Sequence, residues 1–190
     1  MITQGYLARH FQGRSGMRDP ALLDVAQDYA LKHLHDQGAF ELGIVLKGGT
    51  SLRKLRAGNA GRFSTDMDFA TPDLETAGFL LDTLDGAELF DVRFSLAERE
   101  ATRAKLIVDT PLGRPAIPAR VEISPRKLWL PTKLSTPVAL AVHAGYESTP
   151  PAIPAPALEE SLAENLAAVS RRSIGRLQEP ARVTARYGVV

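Results

Sequence analysis

Asp66 and Asp68 stand two residues apart in Arg62-Phe63-Ser64-Thr65-Asp66-Met67-Asp68-Phe69, and Lys47-Gly48-Gly49-Thr50-Ser51-Leu52-Arg53 lies one short helix upstream. Residues i and i+2 of a β-strand face the same side roughly 7 Å apart, so both carboxylates converge while Met67 and Phe69 turn into the core. Converging carboxylates are hard oxygen donors suited to a divalent cation such as Mg2+. The run Gly48-Gly49-Thr50-Ser51 brings bare backbone N–H groups and two hydroxyls to a helix start, where phosphate is favoured. Together the two blocks describe a metal–triphosphate site. Read singly, each has a plainer explanation. An Asp-x-Asp triplet also fits solvated acids on a surface strand, and Thr50 and Ser51 also fit helix capping.

A third acid arrives later. Arg120-Val121-Glu122-Ile123-Ser124 alternates, which puts Glu122 opposite Val121 and Ile123. If that strand lies beside the Asp66 strand, as a meander allows, Glu122 becomes the third carboxylate. Two Mg2+ ions about 3.5–4 Å apart could then clamp in-line attack on an α-phosphate. Otherwise Glu122 is a solvated edge-strand acid. Arg53 and Lys54 are placed to reach a triphosphate, while Lys47 reads equally as a surface residue. Ser64 could hydrogen-bond the nucleotide, orient the acid, or simply serve a turn, and Lys105 is a candidate phosphate or acceptor contact. His10, His33, His35 and His143 show no metal-ligand spacing and receive no role.

These residues need elements to position them. Asp19-Pro20 predicts a helix start with Asp19 as N-cap, Gly38 a stop, and Leu22, Val25, Ala26, Tyr29 and Ala30 one inward stripe between them. Ile44 to Lys47 predicts a strand that delivers the Gly-Gly turn, and Thr50 to Ala57 a helix ended by Gly58. Asp66 to Ala70 is the acid-bearing strand, and Leu74 to Leu84 an amphipathic helix. Phe90 to Ser95, Thr102 to Asp109 and Ala119 to Ser124 read as strands, the last two as a hairpin around Pro111 to Pro115. The expected class is α+β, a mixed sheet flanked by helices. Pro150, Pro151, Pro154 and Pro156 read as a stiff connector, so the expected division is a core at 1–149 and an appended segment at 150–190. That segment carries a helix from Leu158 to about Arg172.

The 190 residues are enough for one domain with a real core, and the 44% hydrophobic share is ordinary. A net charge of +1 is uninformative as a total, but Arg171, Arg172, Arg176, Arg182 and Arg186 face only Glu179 at the chain's end, a charge bias that suits nucleic acid. With no cysteine, a disulfide framework, a thiolate metal site and a cysteine nucleophile are excluded. No apolar run approaches a membrane span and no secretory core opens the chain, so a cytoplasmic location is expected.

The Gly-Gly turn, the helix, Asp66-Met67-Asp68 and a later acid resemble the DNA polymerase β-type nucleotidyltransferase superfamily. Lys47 to Arg53 followed by Arg62 to Phe69 is most similar to the AbiEii toxins of type IV toxin–antitoxin and abortive-infection systems. The resemblance spans about residues 15–172 and is strongest at 45–70. It implies a polymerase β-like core with a short C-terminal helical segment, and an NTP- and Mg2+-dependent transferase acting on tRNA 3′ ends or another RNA, blocking translation. Asp66, Asp68 and Glu122 would be the catalytic and metal-binding acids. Gly48, Gly49, Thr50, Ser51, Arg53 and Ser64 would bind the nucleotide. It also implies a cognate antitoxin, with Ser64 at the position of a hydroxyl such antitoxins modify. The family helix usually carries a lysine where this chain has Asn165, and a later acidic segment is replaced by Arg176-Leu177-Gln178-Glu179-Pro180. Arg171, Arg172 and Lys105 are candidates for the missing cation. The same core with a small-molecule acceptor, as in antibiotic nucleotidyltransferases, and an inactive nucleotide- or partner-binding module are the alternative readings.

Overall fold

The computed structural model describes residues 3–12 and 15–167. Its spine is helix α2, Arg18–Asp36, preceded by α1, Gln4–Phe11. Met17 rather than Asp19 caps α2, with no side-chain bond, and Asp19 falls in the first turn, where its charge still complements the helix dipole. The expected single stripe is also too narrow. Ala21 through Leu31 are all buried, Asp24, Gln27 and Asp28 included. The cause is a second layer behind the helix: α1 and the turn at Ala141–Gly145 cover the side that would otherwise meet water.

Strand β1, Val45–Lys47, runs into the short helix α3, Gly48–Leu52, which continues as a π turn, Arg53–Ala57. Strand β2, Asp66–Thr71, follows, then α4, Leu74–Leu84, capped by the Asp73 side chain on the Thr76 N–H at 2.8 Å. The meander β3 (Glu88–Leu89), β4 (Val92–Ala97), β5 (Arg103–Thr110) and β6 (Gly113–Pro125) comes next. Phe90 and Asp91 take positive φ in the tight turn between β3 and β4, which is why the strand expected from Phe90 begins two residues later. The expected β5–β6 hairpin forms with Thr110 opposite Gly113, and β6 extends well before Ala119.

The six strands lie in the order β1-β2-β6-β5-β4-β3. The last strand of the meander thus inserts beside β2, and it does so in parallel, with Asp68 opposite Glu122 and Asp66 opposite Arg120. Met67, Phe69, Val121 and Ile123 point to one face and are buried under α2 and α4. The acids point to the other face.

The proline-rich stretch, expected as a stiff connector, is instead a packed element. Strand β8, Ile153–Ala155, pairs antiparallel with β7, Lys133–Ser135, and Ile153 and Ala155 are buried in the main core. The alternation of apolar residues with prolines makes this possible, because Pro154 spends its missing N–H on an edge position. Residues 158–167 form helix α5, its Leu158, Leu162 and Leu166 exposed. The basic residues Arg171 to Arg186 lie outside the described residues. Among the described residues no helix is long and apolar enough to cross a membrane.

Candidate active site

The site is the open face of the sheet where β1, β2 and β6 meet. Lys47 pairs with Asp68 across β1–β2, and Asp68 with Glu122 across β2–β6. Lateral neighbours in a sheet share a face, so Lys47, Asp68 and Glu122 form one row and Asp66 and Arg120 the next. Burial, then Glu122 and Asp66, push the Asp68 carboxyl up to about 6, with Lys47 pulling the other way. Three acids crowded this way repel one another, and a cation between them relieves the repulsion. The donor set of hard carboxylate oxygens fits Mg2+. As they stand, however, no three His, Cys, Asp or Glu side chains among the described residues surround one point closely enough for a metal. The Glu122 carboxylate is turned toward the Arg120 guanidinium, 3.3 Å away. Its side chain is half exposed, so a rotamer change returns it to the row.

The glycine turn is fixed against these acids. Gly48 has φ +68°, and a Cβ there would lie 1.9 Å from Asp68 Oδ2. No other residue lets the backbone pass so close to the carboxylate. A Cβ on Gly49 would come within 3.2 Å of Ser64 Oγ, so the serine also belongs to the turn's surroundings. Ser64 is buried, with its carbonyl accepting from the Gln27 side chain at 2.9 Å. Lys47 N-caps α3 without a side-chain bond, which leaves capping of the first turn to neither Thr50 nor Ser51. Thr50 is fully buried and donates its hydroxyl to the Asp66 carbonyl, tying the turn to β2. That geometry corrects the expectation of a phosphate-binding hydroxyl at Thr50. Ser51 is buried as well, so Gly48 and Gly49, both half-buried, are what this turn offers to a ligand.

Arg53 requires a larger correction. It is almost fully buried and points away from the acids: its guanidinium donates to Asp24 at 3.1 and 3.3 Å and to the Gly58 and Gly61 carbonyls. Lys54 behaves likewise, pairing with Asp24 at 3.0 Å and Asp28 at 2.9 Å. His10 reaches Asp24 at 2.8 Å, and the Tyr146 hydroxyl donates to Asp28 at 2.6 Å. Burial alone would raise the Asp24 and Asp28 carboxyls, but Lys54 and the hydrogen bonds outweigh it and hold both below the usual range. This network clamps the helix behind the glycine turn onto α2.

Lys105 does lie near the acids. A cavity of about 770 Å³ opens beside them, lined by Thr65, Asp66, Glu98, Arg103, Lys105, Arg120 and Glu122 among others. Lys105 pairs with Glu98 on its wall at 3.3 Å. Asn165 turns its amide back to the Ser161 carbonyl at 2.7 Å, spending it within α5. The cation that sequence reading left on the surface is instead central: Lys47 Nζ sits 3.1 Å from Glu164 and 3.4 Å from Ser124 Oγ. Its position immediately before the Gly-Gly turn was the available signal.

The comparisons agree with this geometry. Among solved structures, the fold is similar to that of MenT4, a nucleotidyltransferase toxin of Mycobacterium tuberculosis H37Rv, with 42% identity, a TM-score of 0.84, and coverage of 90% of this chain and 60% of that one. The chain therefore spans little more than half the length of that relative. JHP933 of Helicobacter pylori matches at 19% identity and TM-score 0.43 over 88% of this chain and 59% of its own, too distant to carry weight. No curated protein matches. The model of the family described as nucleotidyl transferase AbiEii toxin, type IV TA system, matches residues 29–182, most of the chain, and this chain belongs to that family.

Proposed function

We propose that the protein is a toxin that transfers a nucleoside monophosphate from an NTP to the 3′ end of an RNA, with tRNA the foremost acceptor. The carrying observation is the parallel register that sets Glu122 beside Asp68, one row from Asp66, with Gly48 packed against the same carboxylate. Mg2+ held by Asp66, Asp68 and Glu122 would supply Lewis-acid charge to the α-phosphate and the acceptor hydroxyl. The chain's own residues do the rest. Gly48 and Gly49 present backbone N–H groups to the triphosphate, and Thr50 fixes that turn to the acid strand. The acceptor strand enters through the cavity walled by Arg103, Lys105 and Arg120, cations suited to its phosphates. Transfer joins the acceptor oxygen to the α-phosphorus and breaks its bond to the β-phosphate, so pyrophosphate leaves.

A cognate antitoxin follows from the same family. A group added to the Ser64 hydroxyl would push into the Gly49 turn, where the triphosphate is held. The decisive experiment incubates the full chain with each labelled NTP, Mg2+ and total tRNA, with an aminoglycoside arm beside it. Label in tRNA that disappears with Asp66→Ala supports the reading. Label in the aminoglycoside instead, or transfer undiminished in the variant, overturns it.

A further inference from the structure

Beyond the three acids, the Glu164 carboxylate stands beside the row without a role in the chemistry just described. Glu164 of α5 accepts from Lys47 Nζ at 3.1–3.2 Å and from the Arg126 guanidinium, so one side chain holds two cations. Lys47 reaches it by crossing β2 toward Ser124, which lies opposite Ala70 and therefore one pleat repeat, roughly 6.5 Å, beyond the Asp68–Glu122 row. Arg126 follows directly from the end of β6. The cations thus stand beside the Asp68–Glu122 row on the side opposite Asp66 and the glycine turn, where charge of the opposite sign is wanted by a triphosphate laid across the row.

The tie is joined by a second contact that docks α5. One turn earlier, Glu160 is buried and accepts the backbone N–H groups of Trp129 at 2.9 Å and Leu130 at 3.0 Å. That contact also anchors the helix. Glu164 and its partners keep solvent access, with side-chain exposures of 24%, 14% and 43% for Glu164, Lys47 and Arg126. Neither pair is sealed from water, so each can exchange its partner, whereas a phosphate oxygen brings more charge to the same two donors.

We propose that Lys47 and Arg126 are triphosphate-binding residues and that Glu164 holds their place in the free protein, yielding them when nucleotide arrives. The proposal rests on the nucleotidyltransferase reading and supplies the cations that Asn165 does not. It is tested by titrating the full chain with a fluorescent Mg·NTP in the absence of acceptor, so that affinity rather than turnover is read. Glu164→Gln should tighten binding about 3–10-fold by removing the competitor. Lys47→Met and Arg126→Met should each weaken it about tenfold or more, and Lys47→Arg should restore most of the loss. Thermal melts check that each variant is folded, and the Gln and Arg variants keep the question open to refutation should a Met variant not fold. Unchanged or weaker binding by Glu164→Gln overturns the place-holding role. Wild-type affinity in Lys47→Met and Arg126→Met overturns the inference while leaving the enzyme reading intact. Failure of the wild type itself to bind any Mg·NTP removes both.

Discussion

Asp68→Asn should stabilise the metal-free protein while destroying its function. Folding raises the Asp68 carboxyl from 3.8 to about 6, through burial first and then Glu122 and Asp66. A raised acid is one whose charged form the fold disfavours. Its contribution is fully favourable below pH 3.8 and is lost as pH rises through 6, so at neutral pH the ionised side chain is a net cost. Two units at about 1.4 kcal/mol each set a ceiling of about 3 kcal/mol. Water in the open cleft screens that repulsion and brings the figure to roughly 1–2 kcal/mol. At about 2–4 °C per kcal/mol for a chain of this size, the variant should melt roughly 2–8 °C higher at pH 7.5.

The assay is differential scanning fluorimetry in EDTA at pH 7.5 and again at pH 4.5, where wild-type Asp68 is largely protonated and the advantage should shrink. Asparagine has the volume of aspartate, so the packing against Gly48 is preserved and the comparison isolates charge. Adding Mg2+ or Mn2+ should raise the melting temperature of the wild type and leave the variant almost unmoved, reversing their order. A variant that melts below the wild type in EDTA at pH 7.5, or a gain that is the same at pH 4.5, would refute the crowding of the three carboxylates.

Gly48→Ala should cost about 2 kcal/mol or more and remove nucleotide binding, because its Cβ meets Asp68 Oδ2 at 1.9 Å on a backbone with φ +68°; melting and Mg·NTP titration check both. Asp24→Ala leaves Arg53 and Lys54 buried without their shared partner and should destabilise by about 3–5 kcal/mol in chemical denaturation. Because Asp24 and Asp28 are held below their ordinary range, the stability they contribute is present above pH 3.8 and lost on acidification, so a wild-type urea series should show stability falling below about pH 4. Lys105→Ala should leave Mg·NTP affinity unchanged and raise the KM for the RNA acceptor several-fold, measured by labelled transfer at varied tRNA.

Local pattern carried the elements that hold the acids. The alternation of Asp66 and Asp68 with Met67 and Phe69 determines which face each takes, and β2 forms with that face assignment. The hairpin that ends in Glu122 was equally readable from its apolar alternation and its Pro-Gly turn. Adjacency was not. A meander would bring the strand back antiparallel, whereas β6 joins β2 in parallel through the whole length of α4 and β3 to β5, a nonlocal pairing that no window of sequence contains. The proline-rich stretch misled for a related reason, since its pairing with β7 depends on residues some twenty positions away.

The basic residues beside the glycine turn show how a functional composition can serve a structural end. Arg53 and Lys54 follow Gly48-Gly49-Thr50-Ser51 by only a few positions, and cations there suit a triphosphate as readily as a core. What decides between the two is α2, whose Asp24 and Asp28 are spaced four apart and so lie on one face of the helix. A buried carboxylate pair on that face demands cations, and the π turn at Arg53–Ala57 widens the helix enough to deliver both residues inward. Lys47, on the strand side of the same turn, has no acid of α2 within reach and is left to the open face with Asp68. Of the cations that adjoin the glycines, the one proposed for nucleotide binding, Lys47, therefore comes before them and the two that serve stability, Arg53 and Lys54, come after them, a division that the affinity of Lys47→Met set against the denaturation of Asp24→Ala can separate.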